Sequence, residues 1–311
     1  MTRSVLKRVF YALLTVFFLT MLTFAMMQLL PGDPFIGNKA ISPVTMQALY
    51  QKYGLDKPPV EQFFIYVGNI MKGDLGLSIK YNRPVTRIIG EGFPYSAELG
   101  IRSLILSVTF GIILGIVAAI KRNTAWDTGA MVLAVIGVSV PSFIVGALLQ
   151  YFIALKLKGV FGLPIQGWTT EASKILPAIA LSLSSMATIA RLMRTSMLDV
   201  LGQDYIKTAK AKGLGQAAIV WRHAVRNAIM PVITVLGPIV ASVLTGTFVV
   251  ENIFNIPGMG KFFVLAIKEL DYTLIAGTTV FYGAFLVVAT LVVDILYGLI
   301  DPRIKLGSPK E

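Results

Sequence analysis

Six stretches of this chain contain no charged residue, and each is close to the length needed to cross a membrane. A helix needs roughly 20 mostly apolar residues to span a hydrocarbon core about 30 Å thick. The stretches lack the regular alternation of polar and apolar residues that is typical of strands in a membrane β-barrel. They occupy residues 9–32, 103–120, 128–155, 175–190, 227–250 and 272–293. The sequence therefore predicts an all-α integral membrane protein with six transmembrane helices.

The distribution of charge predicts how these helices are oriented. The chain is 55% hydrophobic and 14% charged, with a net charge of +12, whereas soluble domains average about 25% charged residues. With the N-terminus in the cytoplasm, the cytoplasmic segments hold 15 Lys and Arg and 5 acids, against 12 and 10 in the external segments. This asymmetry follows the positive-inside rule. We therefore expect both termini in the cytoplasm and a lipid bilayer as partner, and not nucleic acid.

Two external segments are long enough to carry structure of their own. Residues 31–97 are rich in Pro and Gly and contain an amphipathic helix candidate at 60–71. Residues 251–271 have a turn at Pro257-Gly258, followed by a helix candidate at 261–269. The first helix is expected to pack on the outer surface of the bundle, and the second to be re-entrant or interfacial. Both segments are candidate contact surfaces for an external partner.

The residues needed for catalysis are missing from the sequence. It has no cysteine and a single histidine, His223, so a zinc site built from paired histidines is excluded and a catalytic triad is improbable. The nearest imitation of a phosphate-binding loop, Gly260-Lys261, is followed by Phe262 where Ser or Thr must bind magnesium. Arg102 and Asp294 lie only at span ends, where they can pair locally. We expect no catalytic, cofactor or metal site here, and energy supplied from outside the chain.

The spans carry signals for close packing and for a polar face. Gly111 and Gly115 form a G-x-x-x-G pair that allows two helices to approach closely. Pro141 lies inside the third predicted span, where a proline frees backbone carbonyl groups. The fourth span carries a cluster of hydroxyl residues, which serve either helix–helix hydrogen bonding or a solute pathway: Ser182, Ser184, Ser185 and Thr188.

Residues 204–231, which we call the basic arm, separate the fourth and fifth spans. Asp204 is a candidate N-cap for a helix of about two turns, and Gly213 suits the left-handed position after its end. A helix this short is unstable alone in water and needs neighbours or a partner. Tyr205 offers an aromatic anchor, and the small residues Thr208, Ala209 and Ala211 would let a surrounding groove close tightly. These features favour a helix that docks on another protein over a solvated basic loop that only sets the topology.

The arm resembles the EAA loop of binding-protein-dependent ABC importer permeases, whose pattern is E-A-A-x-x-x-G. Here the pattern is Lys207-Thr208-Ala209-x-x-x-Gly213, so lysine replaces the glutamate and threonine the first alanine. The chain is most similar to the peptide and nickel permeases, and among them to the B-type subunit of oligopeptide permeases. The matching motifs are LPGDPF (30–35), YGLDKPP (53–59), GDLGLS (73–78), RHAVRNAIMPV (222–232), VVENIFNIPGMGKFF (249–263) and LYGLIDPRIK (296–305).

The resemblance implies a type I ABC importer permease (MetI-like) fold that takes up oligopeptides, with dipeptides or nickel as alternative cargo. It implies a second homologous permease, two cytoplasmic ATPase subunits that bind ATP and Mg, and an external peptide-binding lipoprotein. The expected boundaries are an N-terminal segment 1–8, a first transmembrane helix 9–30, a core 95–301 with helices at about 99–120, 130–155, 175–193, 228–250 and 273–300, and a tail 302–311.

The resemblance also assigns roles to residues. The coupling helix that docks on an ATPase comprises Asp204, Tyr205, Lys207, Thr208, Ala209, Ala211 and Gly213. Candidate pathway residues are Ser182, Ser184, Ser185, Thr234 and Thr245. The alternatives are an ion-coupled secondary transporter and an intramembrane enzyme, neither of which has a recognisable site in the sequence.

Overall fold

The computed structural model describes residues 2–29, 47, 50–51 and 56–300, without the side chains of residues 2–5, 8, 245–246 and 294–300. Within these ranges all regular secondary structure is helical, apart from one β-bridge between Leu77 and Pro84. The predicted C-terminal tail, the side chain of Asp294 and the LPGDPF motif lie outside the described part. The helices are α1 (Thr2–Gln28), α2 (Pro59–Met71), α3 (Val85–Ile120), α4 (Ala125–Ser139), α5 (Ser142–Leu149), α6 (Lys158–Phe161), α7 (Ile175–Leu201), α8 (Asp204–Ala211), α9 (Gln216–Ala218), α10 (Val225–Ala228), α11 (Met230–Ile253), α12 (Met259–Lys268) and α13 (Tyr272–Ile300). Short π-helical segments, Gln150–Lys156 and Ile219–Ala224, continue α5 and join α9 to α10.

Between four and six segments of the described chain are suited to cross a membrane. Four helical segments are long and apolar enough by themselves: Val9–Gln28, Val85–Ile120, Glu171–Leu201 and Tyr272–Val293. Two further helix pairs pass the same test only when taken together, and each pair is bent, by 109° and by 50°. Counting each bent pair as one span gives the six that the sequence predicts.

The third predicted span, 128–155, is not a continuous helix. Helix α4 ends at Ser139, and the chain then turns by 109° into α5. Val140 is extended, with φ −96° and ψ 121°, and Pro141 has φ −56° and ψ 140°. A proline forces the residue before it out of the helical region and has no N–H for the helix ladder. Pro141 therefore divides the apolar stretch into two helices.

The helix that contains the second predicted span begins well before the apolar stretch at 103–120. Helix α3 starts at Val85, although charges interrupt the sequence up to Arg102. These charges are spaced four residues apart and form ion pairs along the helix, as with Arg87 and Glu91 and with Arg102 and Glu98. A helix that extends beyond the hydrocarbon core is stabilised by such pairs, so the apolar pattern alone places its start too late.

The chain divides into two compact units. The first contains Met1–Pro94 and Gly258–Leu291, and the second contains Tyr95–Pro257 and Val292–Pro302. The apolar core of the second unit is built around α7, whose Ile189, Met193 and Met197 are fully buried. Helix α3 packs closely here because Gly111 and Gly115 present no side chain. A Cβ at Gly115 would lie 2.6 Å from the Cβ of Met193.

Candidate functional site

The basic arm contains the two-turn helix that its sequence predicts. Helix α8 spans Asp204–Ala211, and Gly213 follows with a left-handed φ of +77°. The Gly213 N–H donates to the Lys210 carbonyl at 2.9 Å, and the Leu214 N–H donates to the Ala209 carbonyl at 3.2 Å. These two bonds form the Schellman motif, which satisfies the last carbonyls of a helix. The predicted role of Gly213 in ending the helix is confirmed.

The predicted N-cap at Asp204 is wrong. Gln203 occupies the cap position with extended backbone, and its side chain makes no capping bond. Asp204 is the first helical residue, and its carboxylate accepts a hydrogen bond from the Lys207 ammonium at 2.8 Å. An acid in the first turn still interacts favourably with the helix dipole, but it does not satisfy the backbone N–H groups as a cap would.

Helix α8 is held to the rest of the arm by its inward face. Ile206 and Ala209 are buried against Ile219, with Leu201 and Leu214 packed alongside. Ala209 was expected to offer a small surface to a partner, and this expectation is wrong, because it lies three residues from Ile206 and shares its face. The packing explains how so short a helix is stabilised within the chain.

The outward face of α8 carries the other predicted docking residues. Tyr205, Lys207, Thr208 and Ala211 are exposed, as is Gly213 just beyond the helix. The Tyr205 ring is 44% exposed, and its hydroxyl accepts a hydrogen bond from the Asn227 amide at 3.1 Å. This bond fixes the ring against the second half of the arm. The surface therefore combines an oriented aromatic ring, a lysine and small side chains.

Sequence reasoning missed Trp221, a second exposed aromatic residue of the basic arm. It lies in the π-helical segment of the arm and is 64% exposed, beside the exposed Arg222. Tryptophan and arginine are enriched where protein interfaces derive most of their energy. The signal was present in the sequence, as a tryptophan in an otherwise polar, basic segment.

The pathway candidates divide into buried and exposed residues. Ser182 and Ser185 are buried inside the second unit, so they do not line an open surface of this chain. The Ser182 carbonyl accepts from the Ser107 hydroxyl at 3.0 Å, which is the helix–helix bonding that the alternative interpretation expected. Ser184 and Thr234 are exposed. The side chain of Thr245 lies outside the described part.

Helix α7 carries an outward-facing row of polar residues, which we call the polar stripe. Its members recur at intervals of three or four residues and are exposed, except for a half-buried Thr188: Ser184, Thr188, Arg191, Thr195 and Asp199. An open cleft of 400 Å³ lies between α7 and α11, lined by Leu192, Met230, Pro231, Thr234 and Val235. Thr234 of α11 and Leu192, the neighbour of Arg191 on α7, therefore border one opening.

A buried ion pair ties α4 to α7 near the arm. The Arg194 guanidinium donates to both carboxylate oxygens of Asp127, at 2.5 and 2.7 Å. The Asn123 backbone N–H donates to the same carboxylate at 3.0 Å. Asp127 is only 4% exposed. In the sequence, Asp127 is one of five acids in the predicted cytoplasmic segments, and no local pattern indicates that it pairs with Arg194, 67 residues away.

A second ionic cluster joins α3 to the start of α7. Glu98 binds Arg102 at 2.7 Å and Lys174 at 2.9 Å, and Glu171 binds the same two cations at 2.8 Å each. The Trp168 indole donates to Glu98 at 2.9 Å. The expected local pairing of Arg102 is confirmed. Trp168 is itself buried in this unit.

In the first unit, one carboxylate joins the two predicted external segments. Asp271 is fully buried and accepts hydrogen bonds from the Ser78 hydroxyl at 2.5 Å and from the backbone N–H groups of Ile79, Lys80 and Leu274 at 3.1 Å each. The hairpin at residues 77–84 is thereby fixed to the start of α13. Helices α2 and α12 confirm the helices predicted at 60–71 and 261–269.

Tyr81 extends this contact. Its ring meets that of Phe262 edge to face, with centroids 5.9 Å apart. Burial raises the pKa of the Tyr81 hydroxyl above its usual value, and the nearby carboxylates of Glu269 and Asp271 raise it further. Tyr81 therefore stays neutral at physiological pH, as suits an aromatic packing contact.

Residues 111–306 match the family model described as the binding-protein-dependent transport system inner membrane component, and residues 1–100 match its N-terminal companion. The chain is 47% identical to the dipeptide transport system permease protein DppB of Bacillus subtilis, covering 98% of this chain and 99% of the relative. It is 40% identical to the oligopeptide transport system permease protein OppB of Salmonella typhimurium, covering 98% and 100%. An inward-facing structure of the MetNI methionine ABC transporter has a TM-score of 0.57, with 14% identity and coverage of 70% of this chain and 97% of the other.

Proposed function

This chain belongs to the family of inner membrane components of binding-protein-dependent transport systems, and we propose that it is a permease subunit of an ATP-driven peptide importer. The observation that carries the proposal is the near full-length identity, 40–47%, to relatives named as peptide permeases. Deleting the chain from its host should abolish uptake of radiolabelled peptides, and restoring it should recover uptake. Unchanged peptide uptake in the deletion strain would refute the proposal.

The size of the peptide is a separate question. The sequence motifs favoured oligopeptides, whereas the relatives include both dipeptide and oligopeptide permeases, with the higher identity on the dipeptide side. We propose oligopeptides as cargo, with dipeptides as the second candidate. Competition by unlabelled peptides of two to six residues against a labelled tripeptide decides between them, since a dipeptide importer is inhibited only by the shortest competitors.

We propose that the exposed face of α8 docks on one of two ATPase subunits, which bind the ATP and Mg. A second homologous permease and an external peptide-binding lipoprotein would complete the assembly. Two observations support this role for α8. Its outward face is open and carries Tyr205, while its inward face is fixed by Ile206 and Ala209. A helix held in this way transmits a displacement to α7 through the short connection at Gly202–Gln203.

The docking proposal is tested at the end of α8. Gly213 has φ +77°, and a Cβ added there would meet no atom within 4 Å. The only cost of Gly213→Val is therefore the left-handed backbone conformation. That conformation costs roughly 1–2 kcal/mol for an ordinary residue and more for a β-branched one. Gly215 is equally open but has φ −64°, so Gly215→Val is the matched control. We expect Gly213→Val to reduce co-purification of the ATPase and Gly215→Val to leave it unchanged. Equal co-purification in both variants would contradict the docking role.

We propose that the solute pathway borders the polar stripe and the cleft between α7 and α11. Ser184 and Thr234 remain candidates because both are exposed, and Thr245 remains one from its sequence alone. We also propose that the hairpin at 77–84 and the start of α13 form part of the docking surface for the lipoprotein. The four hydrogen bonds to Asp271 give that surface a fixed shape.

A further inference from the structure

One member of the polar stripe of α7, Arg191, is a cation. No acidic side chain among the described residues lies within ion-pair distance of Arg191, whereas Arg194, three residues on, is neutralised by Asp127. The nearest acid on the stripe is Asp199, eight residues away, or about 12 Å along a helix axis. That separation is too great for an ion pair. Arg191 therefore presents, on an exposed face of the helix, a guanidinium that no described acid neutralises.

The surroundings of Arg191 distinguish its face from one that meets lipid. The exposed face of α3 is apolar along its charge-free stretch except at Thr109, with Phe110 at 48% and Ile113 at 47% exposure. The stripe instead has hydroxyl residues on both sides of Arg191, with Thr188 one turn before it and Thr195 one turn after. A charge inside a span faces a water-filled cavity or the bundle interior far more often than lipid. Leu192, the next residue, lines the open cleft that Thr234 also borders.

We propose that Arg191 is a subsite for the C-terminal carboxylate of the transported peptide, an inference that rests on the proposed peptide import. A permease that accepts many peptides can recognise only what they share, namely the backbone and the two charged ends. The guanidinium fork matches a carboxylate with two parallel hydrogen bonds. Because no acid among the described residues neutralises Arg191, we take it to be available for that carboxylate, whereas Arg194 already binds Asp127.

Water access to the stripe is measured first, without any assumption about cargo. The chain has no cysteine, so Arg191→Cys and Thr195→Cys each introduce a single thiol. The assembled transporter, in inside-out vesicles, is treated with a membrane-impermeant cationic methanethiosulfonate reagent. The control is Ile113→Cys, which is exposed and lies at the level of Arg191 because Gly111 and Gly115 pack against Ile189 and Met193. We expect the stripe positions to react at least about tenfold faster than Ile113→Cys. Equal rates would place the stripe against lipid and overturn the proposal.

The carboxylate subsite is tested by uptake of trialanine and of its C-terminal amide into proteoliposomes that hold the complete transporter. The free-acid to amide ratio is compared between variants, so any preference of the external binding protein cancels. We expect Arg191→Gln to lower the ratio about tenfold, the scale of one charge-assisted interaction. Arg191→Lys, which keeps the charge but not the fork, should give an intermediate ratio. Arg194→Gln should slow uptake of both peptides without changing the ratio.

The outcomes separate the two proposals. If the wild-type transporter imports neither trialanine nor dialanine, the proposed function fails, and the carboxylate subsite fails with it. If it imports dialanine alone, the same ratio is measured with dialanine and its amide. If the wild type imports trialanine but Arg191→Gln keeps the wild-type ratio, peptide import stands and the subsite is refuted. If Arg191→Gln is inactive, Arg191→Lys decides in the same way, because an unchanged ratio in an active Lys variant refutes recognition by the fork.

Discussion

Replacing Gly115 by alanine should force α3 away from α7. A Cβ at this position would lie 2.6 Å from the Met193 Cβ and 2.7 Å from the Ala190 carbonyl oxygen. Ordinary contacts begin at 3.4 Å, so the shortest falls about 0.8 Å short of that distance. Neither atom is at the end of a flexible side chain, so rotation about a side-chain bond cannot relieve the clash. The helices must separate, and overpacking of this kind costs about 1–3 kcal/mol.

The control for this prediction is Gly129→Ala, on the exposed side of α4. A Cβ there meets nothing within 4 Å, so this variant reports only the intrinsic preference of a helix for alanine, up to ~1 kcal/mol. The free energy of unfolding of each variant is measured by SDS titration in mixed micelles. Gly115→Ala should be less stable than Gly129→Ala by about 1–3 kcal/mol. Equal stability of the two variants would refute the close approach of α3 and α7.

Two further predictions concern buried carboxylates. Asp127→Asn leaves Arg194 without its counter-charge and should cost roughly 2–3 kcal/mol in the same titration, somewhat less than a fully buried pair because Arg194 keeps 24% of its side chain exposed. Asp204→Asn, in an exposed pair, is the control and should change little; similar losses in both would contradict the buried pair. Asp271→Asn should accelerate amide hydrogen exchange across the hairpin 77–84 with little change in α7, because it weakens the acceptor of bonds that hold that hairpin. Unaltered exchange in the hairpin would remove Asp271 from that role.

Local signals in the sequence were sufficient for several elements. Helix α8 and its end were predicted from a polar, helix-prone run and from Gly213, because a left-handed residue after a short helix is a local requirement. Helix α2 followed from apolar spacing, and α12 from the turn at Pro257-Gly258 that precedes it. The family resemblance was also visible in motifs, and the matches to family models and relatives confirm it.

Other features depended on the balance between local and distant interactions. The turn at Pro141 was misjudged, because its apolar flanks continue through a break that only the backbone shows. The start of α3 was misplaced because ion pairs, and not apolar periodicity, support its first turns. Asp204 does not cap the helix, although its residue type fits, because the helix begins at Asp204 itself and the cap position falls on Gln203.

The sequence by itself determined that this chain is a helical membrane protein of one transport family, because hydrophobic length, charge asymmetry and local motifs require no knowledge of packing. Only the tertiary structure decided which of its polar residues are available for function. Ser182 and Ser184 are of the same type and two residues apart, yet one is buried and the other exposed. Arg191 and Arg194 are equally charged, yet among the described residues only Arg194 meets an acid, Asp127, which lies 67 residues away in sequence. Residue type is local, whereas burial and pairing depend on which other helices pack against the same face.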